Sequence, residues 1–160
     1  KEEPLHREIL EEHARNPRFE SELDDHTHQA VFQSLKTGNT CGIRLKVKKD
    51  VIIAMGLEIQ GSALANASAS LLYCEILRQT TTQVKELILC LSQLLELGEP
   101  ADLRGELCVY QSIARFPERH DCALLAWRAL AKALSVSKTF YRTLHHSHPI
   151  RNGSNQMNLA

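Results

Sequence analysis

The five cysteines, at 41, 74, 90, 108 and 122, are the residues whose type could serve metal ligation or sulfur transfer, or simply fill a core. Cys41 lies in the turn-like run Asn39-Thr40-Cys41-Gly42, and Cys122 closes the run Phe116-Pro117-Glu118-Arg119-His120-Asp121-Cys122. A thiolate is a soft ligand for zinc or cluster iron, and it is also the nucleophilic form of cysteine. A helix N-terminus beside it favours that form. His120 and Asp121, directly before Cys122, add a nitrogen and an oxygen donor of the kind that completes mixed metal sites. Ser62 follows Gly61 and opens the small-residue run A-L-A-N-A-S-A-S. It reads as a helix N-cap, and a hydroxyl is a poor ligand in a soft site.

The other three cysteines, Cys74, Cys90 and Cys108, fall at apolar helical positions and read as core. Five cysteines in all, with no C-x-x-C pair, exclude a disulfide framework and point to a reducing compartment. Trp127 and the Leu/Ala face around it read as packing. His145, His146 and His148 near the C-terminus could hold a metal ion adventitiously. No Gly-rich phosphate loop, G-x-S-x-G elbow or H-E-x-x-H is present, so a conventional hydrolase or kinase has no support. With 19 basic and 19 acidic residues and only 5% aromatics, nothing draws the chain to nucleic acid or to an acidic membrane. No apolar run is long enough to span a membrane. The opening K-E-E-P-L-H-R-E-I-L-E-E-H carries too much charge for a signal peptide, and the expected location is the cytoplasm.

The elements that must position these residues follow from periodicity. Pro4 to Ala14 predicts a helix with Leu5, Ile9 and Leu10 as its apolar stripe, ended by Asn16-Pro17. Residues 30–35, 43–47 and 51–59 alternate or cluster apolar residues as strands do, with Lys48-Lys49-Asp50 as a tight turn. The small-residue run predicts a helix over 61–79. Val84, Leu87, Ile88, Leu91, Leu94 and Leu95 mark the clearest amphipathic helix, stopped by Gly98-Glu99-Pro100. A short helix over 102–114 turns Leu103, Leu107, Tyr110 and Ile113 inward, and a last one runs from Pro117 with Cys122, Leu125, Ala126, Ala129, Leu130 and Ala133 on one face. The expected fold is α+β: a three-stranded antiparallel sheet with helices packed over one face. A chain of 160 residues is expected to form one domain, over 1–134, followed by a flexible tail over 135–160 where apolar periodicity fades.

Three separated segments, taken together, resemble the ligand-bearing segments of the U-type iron–sulfur cluster assembly proteins (SufU, IscU and NifU). They are N-T-C-G around Cys41, G-S-A-L-A-N-A-S after the third strand, and F-P-E-R-H-D-C-A-L-L-A-W around Cys122. The opening L-H-R-E-I-L-E-E-H-A-R-N-P-R is also similar to the family's first helix. The stretch from Gly98 to Phe116, before F-P-E-R, resembles the SufU branch, and the likeness covers roughly residues 5 to 134.

The resemblance implies a SufU/IscU-like fold and a role as cluster scaffold or sulfur acceptor, partnered by a SufS-like cysteine desulfurase. It implies metal ligation by Cys41, by an aspartate two residues later, by a helix-start cysteine and by Cys122. Carried over position by position, the aspartate place holds Ile43 and the helix-start place holds Ser62. Two of four ligand positions are thus substituted. Cys41 and Cys122 remain as candidate ligands and sulfur acceptors, with Asp121, His120 and Ser62 as weaker completing groups. The expected cofactor is zinc, a labile iron–sulfur cluster, or none. The alternative is a non-catalytic paralogue that docks onto or regulates a desulfurase or another assembly component, and a third is a sulfur carrier for a different pathway. At most the chain is a sulfur-transfer protein rather than a conventional enzyme.

Overall fold

The computed structural model describes residues 3–135. The expected tail, with His145, His146 and His148, lies outside the described residues. Helix α1 (Pro4–Arg15) leads through an irregular segment into strands β1 (His28–Gln33), β2 (Thr40–Lys48) and β3 (Val51–Gln60), which form one antiparallel sheet in the order β1-β2-β3. Helices α2 (Ala63–Ile76), α3 (Thr81–Leu97), α4 (Val109–Ile113) and α5 (His120–Ala133) follow, with single 3₁₀ turns at Gly105–Cys108 and Pro117–Arg119. The α+β expectation is met, with five helices.

Alternation decides which face of the sheet is dry. Cys41, Ile43 and Leu45 of β2 are at most 1% exposed, whereas Arg44 between them faces water. The register sets Ile43 beside Ala30 and Leu57, and Cys41 beside Phe32 and Ile59. α2 and α5 pack over this face, and α3 and α4 close the far side of α5. A one-residue slip at Lys46/Val47 leaves Ile53 on the outer surface. The outer edge of β3 is met by the chain itself, through Leu57 N–H to the Glu20 carbonyl (2.7 Å) and Ile52 N–H to Gln79 (3.0 Å). On the opposite edge, Lys132 Nζ donates to the Val31 carbonyl of β1 (2.8 Å).

Local chemistry fixes the helix ends. α3 starts in a reciprocal box between Thr80 and Gln83 and ends at Gly98, whose φ of +69° accommodates the left-handed cap. The expected helix over 102–114 starts late and is split: residues 101–104 are irregular, and Gly105 (φ +56°) opens a 3₁₀ turn that runs on into α4. Its inner residues, Leu103, Leu107, Tyr110 and Ile113, are buried as expected.

Two sequence expectations need correction. The buried face of α1 is His6, Leu10 and His13, whereas Leu5 is 60% exposed. Histidine is tolerated inside because partners await it. His6 Nδ1 meets Ser112 Oγ (2.6 Å), His13 Nδ1 meets Ser70 Oγ (2.7 Å), and His13 Nε2–H donates to Glu106 (2.8 Å). Cys74 is not core: it lies one turn beyond the Ser70 contact with α1 and is exposed, while Cys90 and Cys108 are half-buried.

Trp127 is packing, as expected, and also anchors a buried relay. Trp127 Nε1–H donates to Tyr110 Oη (2.8 Å), Tyr110 pairs with Ser68 Oγ (2.5 Å), and Ser68 donates to the Ala123 carbonyl (2.6 Å). The relay ties α2, α4 and α5 together directly behind Cys122.

Candidate functional site

Three connections converge at one end of the sheet: the β1–β2 loop, the β3–α2 turn and the start of α5. The first two must adjoin because β2 begins where β3 ends, with Thr40 opposite Gln60. α5 is brought in by its apolar face, since Ala123, Leu124, Ala126 and Trp127 are all buried. Cys122 stands half-buried near the start of α5, on a helical run that opens with the 3₁₀ turn at Pro117, and the helix dipole there favours negative charge.

Asp121 locks the β1–β2 loop to α5. Its carboxylate accepts from Ser34 Oγ (2.5 Å), Thr37 Oγ1 (3.3 Å) and Arg128 Nη1 (2.9 Å), and its side chain is 14% exposed. Burial pushes its carboxyl up, but the donors Ser34 and Arg128, the Arg128 charge and Thr37 outweigh that and hold it below the usual aspartate value. Ser34 Oγ also accepts from the N–H groups of Lys36 and Thr37, at 3.2 and 3.3 Å, so the loop is internally braced. At its tip Leu35 is fully exposed.

The remaining candidates divide between this site and the core. Cys41 is 0% exposed, its sulfur contacts the Gly42 carbonyl (3.7 Å), and burial pushes its thiol up to about 12. Ile43 fills the core two residues on. Ser62 caps α2, its Oγ accepting from Ala65 N–H (3.2 Å), and is exposed. His120 turns away from the sulfur, its Nε2–H donating to the Ala114 carbonyl (3.1 Å). Arg119 lies over the Phe116 ring at 4.4 Å.

Asn39 was not singled out from its side chain chemistry, yet it makes the described polar side-chain contact to Cys122: Nδ2 lies 3.9 Å from Sγ. Gly61 packs against the same carboxamide. A Cβ at Gly61 would stand 3.2 Å from Asn39 Cγ and Nδ2 and 3.1 Å from Ala65 Cβ, so a side chain there would push its neighbours by a few tenths of an ångström. The only signal in the sequence is a polar residue in a short loop beside a cysteine, which is too common to single it out.

A three-stranded antiparallel sheet under five helices, with these three connections gathered at one end, is the architecture of the NifU/SufU scaffolds. The fold is similar to the N-terminal NifU-like protein of Brucella abortus, with a TM-score of 0.74 and 21% identity over 79% of this chain and 90% of that one. It is also similar to the putative SUF-system scaffold of Fervidobacterium islandicum, with a TM-score of 0.71 and 21% identity over 79% and 94%. No family model matches the chain. Among curated proteins, the chain is 28% identical over 138 residues to the zinc-dependent sulfurtransferase SufU of Bacillus subtilis, covering 82% of this chain and 90% of the relative. It is 28% identical over 133 residues to the assembly scaffold IscU of Thermotoga maritima, covering 81% and 92%. The chain thus shares the fold of these scaffolds and is similar in sequence, at 28% identity, to U-type iron–sulfur cluster assembly proteins.

Zinc or a cluster would need three or four thiolate, imidazole or carboxylate donors around one point. The described donors do not fit that demand. Cys41 is sealed in the core, Asp121 has its oxygens occupied, and His120 is bound to a backbone carbonyl. Among the described residues no three His, Cys, Asp or Glu side chains are grouped to hold a metal ion.

Proposed function

We propose that the chain serves iron–sulfur cluster assembly as a sulfur acceptor through Cys122, without a resident zinc or cluster site. The observation that carries this reading is the contrast between the two cysteines. Cys122 is half-buried at a helix N-terminus, whereas the Cys41 thiol is sealed and burial pushes it up to about 12. The family alignment read from the three motifs supports the same view. Ile43 and Ser62 stand where the aspartate and second cysteine are expected, and each has a structural role of its own.

In the proposed step the Cys122 thiolate attacks the terminal sulfur of a cysteine desulfurase persulfide. The new S–S bond forms at Cys122 as the desulfurase S–S bond breaks. The desulfurase leaves as thiolate, and the sulfane sulfur and its proton pass to Cys122 with no net oxidation. The partner is therefore a persulfide-bearing desulfurase of the SufS kind.

The test mixes the full chain with a desulfurase and free cysteine, then locates added sulfur by mass spectrometry before and after a metal chelator. Sulfur on Cys122, absent in Cys122→Ser and retained in Cys41→Ser, is expected with or without chelator. Sulfur transfer that vanishes on chelation overturns the metal-free reading. A second reading, a docking module, is favoured by Leu35, which stands fully exposed on a braced loop beside Cys122. It predicts desulfurase binding by Cys122→Ser that Leu35→Ser weakens, with no sulfur transfer by the parent.

A further inference from the structure

Asn39 is placed to hold the Cys122 sulfur from the side opposite its own helix. Its backbone is fixed at both ends of the residue: its N–H donates to Thr37 Oγ1 (3.2 Å) and its carbonyl accepts from Ser34 N–H (2.8 Å). Ser34 and Thr37 are themselves bound to Asp121, the residue immediately before Cys122. Donor and sulfur are thus carried by one clamp, and movement of either is opposed by the same bonds. Gly61 leaves the carboxamide its room, since a Cβ there would stand 3.2 Å from Asn39 Cγ and Nδ2. Three separate elements combine to point one N–H at one sulfur.

We propose that Asn39 is a positioning residue for sulfur transfer, its carboxamide N–H orienting the Cys122 sulfur and stabilising negative charge on it. This rests on the acceptor reading of Cys122 and adds to it the group that does the orienting. An amide N–H is a weak partner for a neutral thiol and a better one for a sulfur bearing charge, whether thiolate or persulfide. The bond therefore strengthens as the sulfur becomes reactive. Nothing in the fold alone requires a donor there. Asn39 is half-buried, and its backbone bonds would survive a change of side chain.

The test needs no desulfurase, so its outcome is separate from that of the acceptor reading. The full-length protein and its Asn39→Asp, Asn39→Leu and Asn39→Gln variants are treated with iodoacetamide at neutral pH, and the rate at each cysteine is followed by peptide mass spectrometry. Asn39→Asp keeps the shape but replaces the donor by an anion, and Asn39→Leu removes the donor without charge. Both are expected to slow Cys122 by about fivefold or more, the size expected for losing one hydrogen bond of ordinary strength. Cys74, exposed and distant, is expected to be unchanged, and Asn39→Gln, which keeps the amide, to recover part of the rate. Cys41 reports folding by staying unlabelled. If Asn39→Asp and Asn39→Leu keep Cys41 protected and alkylate Cys122 within twofold of the parent, the proposal is wrong. If one of them exposes Cys41, the remaining folded variants decide on the same criteria. Sulfur failing to reach Cys122 from a desulfurase while these rates still follow residue 39 would overturn the acceptor reading alone.

Discussion

At the scale of single residues the two matched cysteines part company. A thiol at 0% exposure among Phe32, Ile59 and the core has neither solvent nor a cation to support its ionised form. In the native protein Cys41 is expected to resist alkylation over hours while Cys74 reacts, and to react at once in denaturant; prompt native labelling of Cys41 would contradict its burial. Ile43 carries a second expectation. Converting Ile43 to Asp and Ser62 to Cys introduces the ligand types that the resemblance implies, but the first change puts a carboxylate at a 1% exposed core position. That costs roughly 3 kcal/mol or more. The double variant should therefore show a large fall in denaturant midpoint, partly reversed by added zinc only if the sulfur atoms can be brought together. The motif residues were legible from type and order alone. Their fates were not, because burial depends on what α5 brings across from more than eighty residues away. Asn39 and Arg128 escaped notice for the same reason: neither has a local signature, and each acts through a partner far off in sequence or set by the loop's path.

At the scale of elements, periodicity located every strand and the long helices. The twofold alternation along β2 and the i, i+3, i+4 spacing of Val84, Ile88, Leu91 and Leu95 both describe surfaces that the fold buries. It misjudged the phase of α1, where the buried stripe contains two histidines. Hydrophobicity cannot reveal a buried polar face whose partners, Ser70, Glu106 and Ser112, sit on other helices. The relay from Trp127 through Tyr110 and Ser68 to Ala123 is of the same kind. Tyr110→Phe removes its middle hydroxyl and leaves a buried indole N–H with no acceptor. The expected loss is about 1–3 kcal/mol in urea unfolding, with Trp127 fluorescence as a second signal. Burial already holds the Tyr110 phenol up to about 12, so no part of that difference should vary between neutral pH and pH 9.

For the whole molecule, Asp121 links loop, sheet and final helix, and its charge should be visible in the pH dependence of stability. Its folded carboxyl titrates below the usual aspartate value, so the native state favours the ionised form more than the unfolded chain does. That contribution is complete above the ordinary aspartate range and is lost as pH falls through the folded value. The parent should exceed Asp121→Asn by about 1–3 kcal/mol at neutral pH, with the gap narrowing below about pH 4. A gap that stays constant down to pH 3 would show that the carboxylate charge is not what holds the loop.

α5 touches β1, β2, α2 and α3, yet it is the last of the described elements in chain order. A chain emerging from the ribosome N-terminus first delivers its sheet and the four helices α1–α4 before residue 122 is available. During that interval β1–β3 and α2 have no cover for their inner faces, and the loop at 34–38 has no carboxylate to brace it. Cys122, the acceptor proposed above, and the last described wall of the core arrive together. Under the acceptor reading, a half-synthesised copy lacks the proposed acceptor, and one that carries Cys122 folded in α5 has already closed its core.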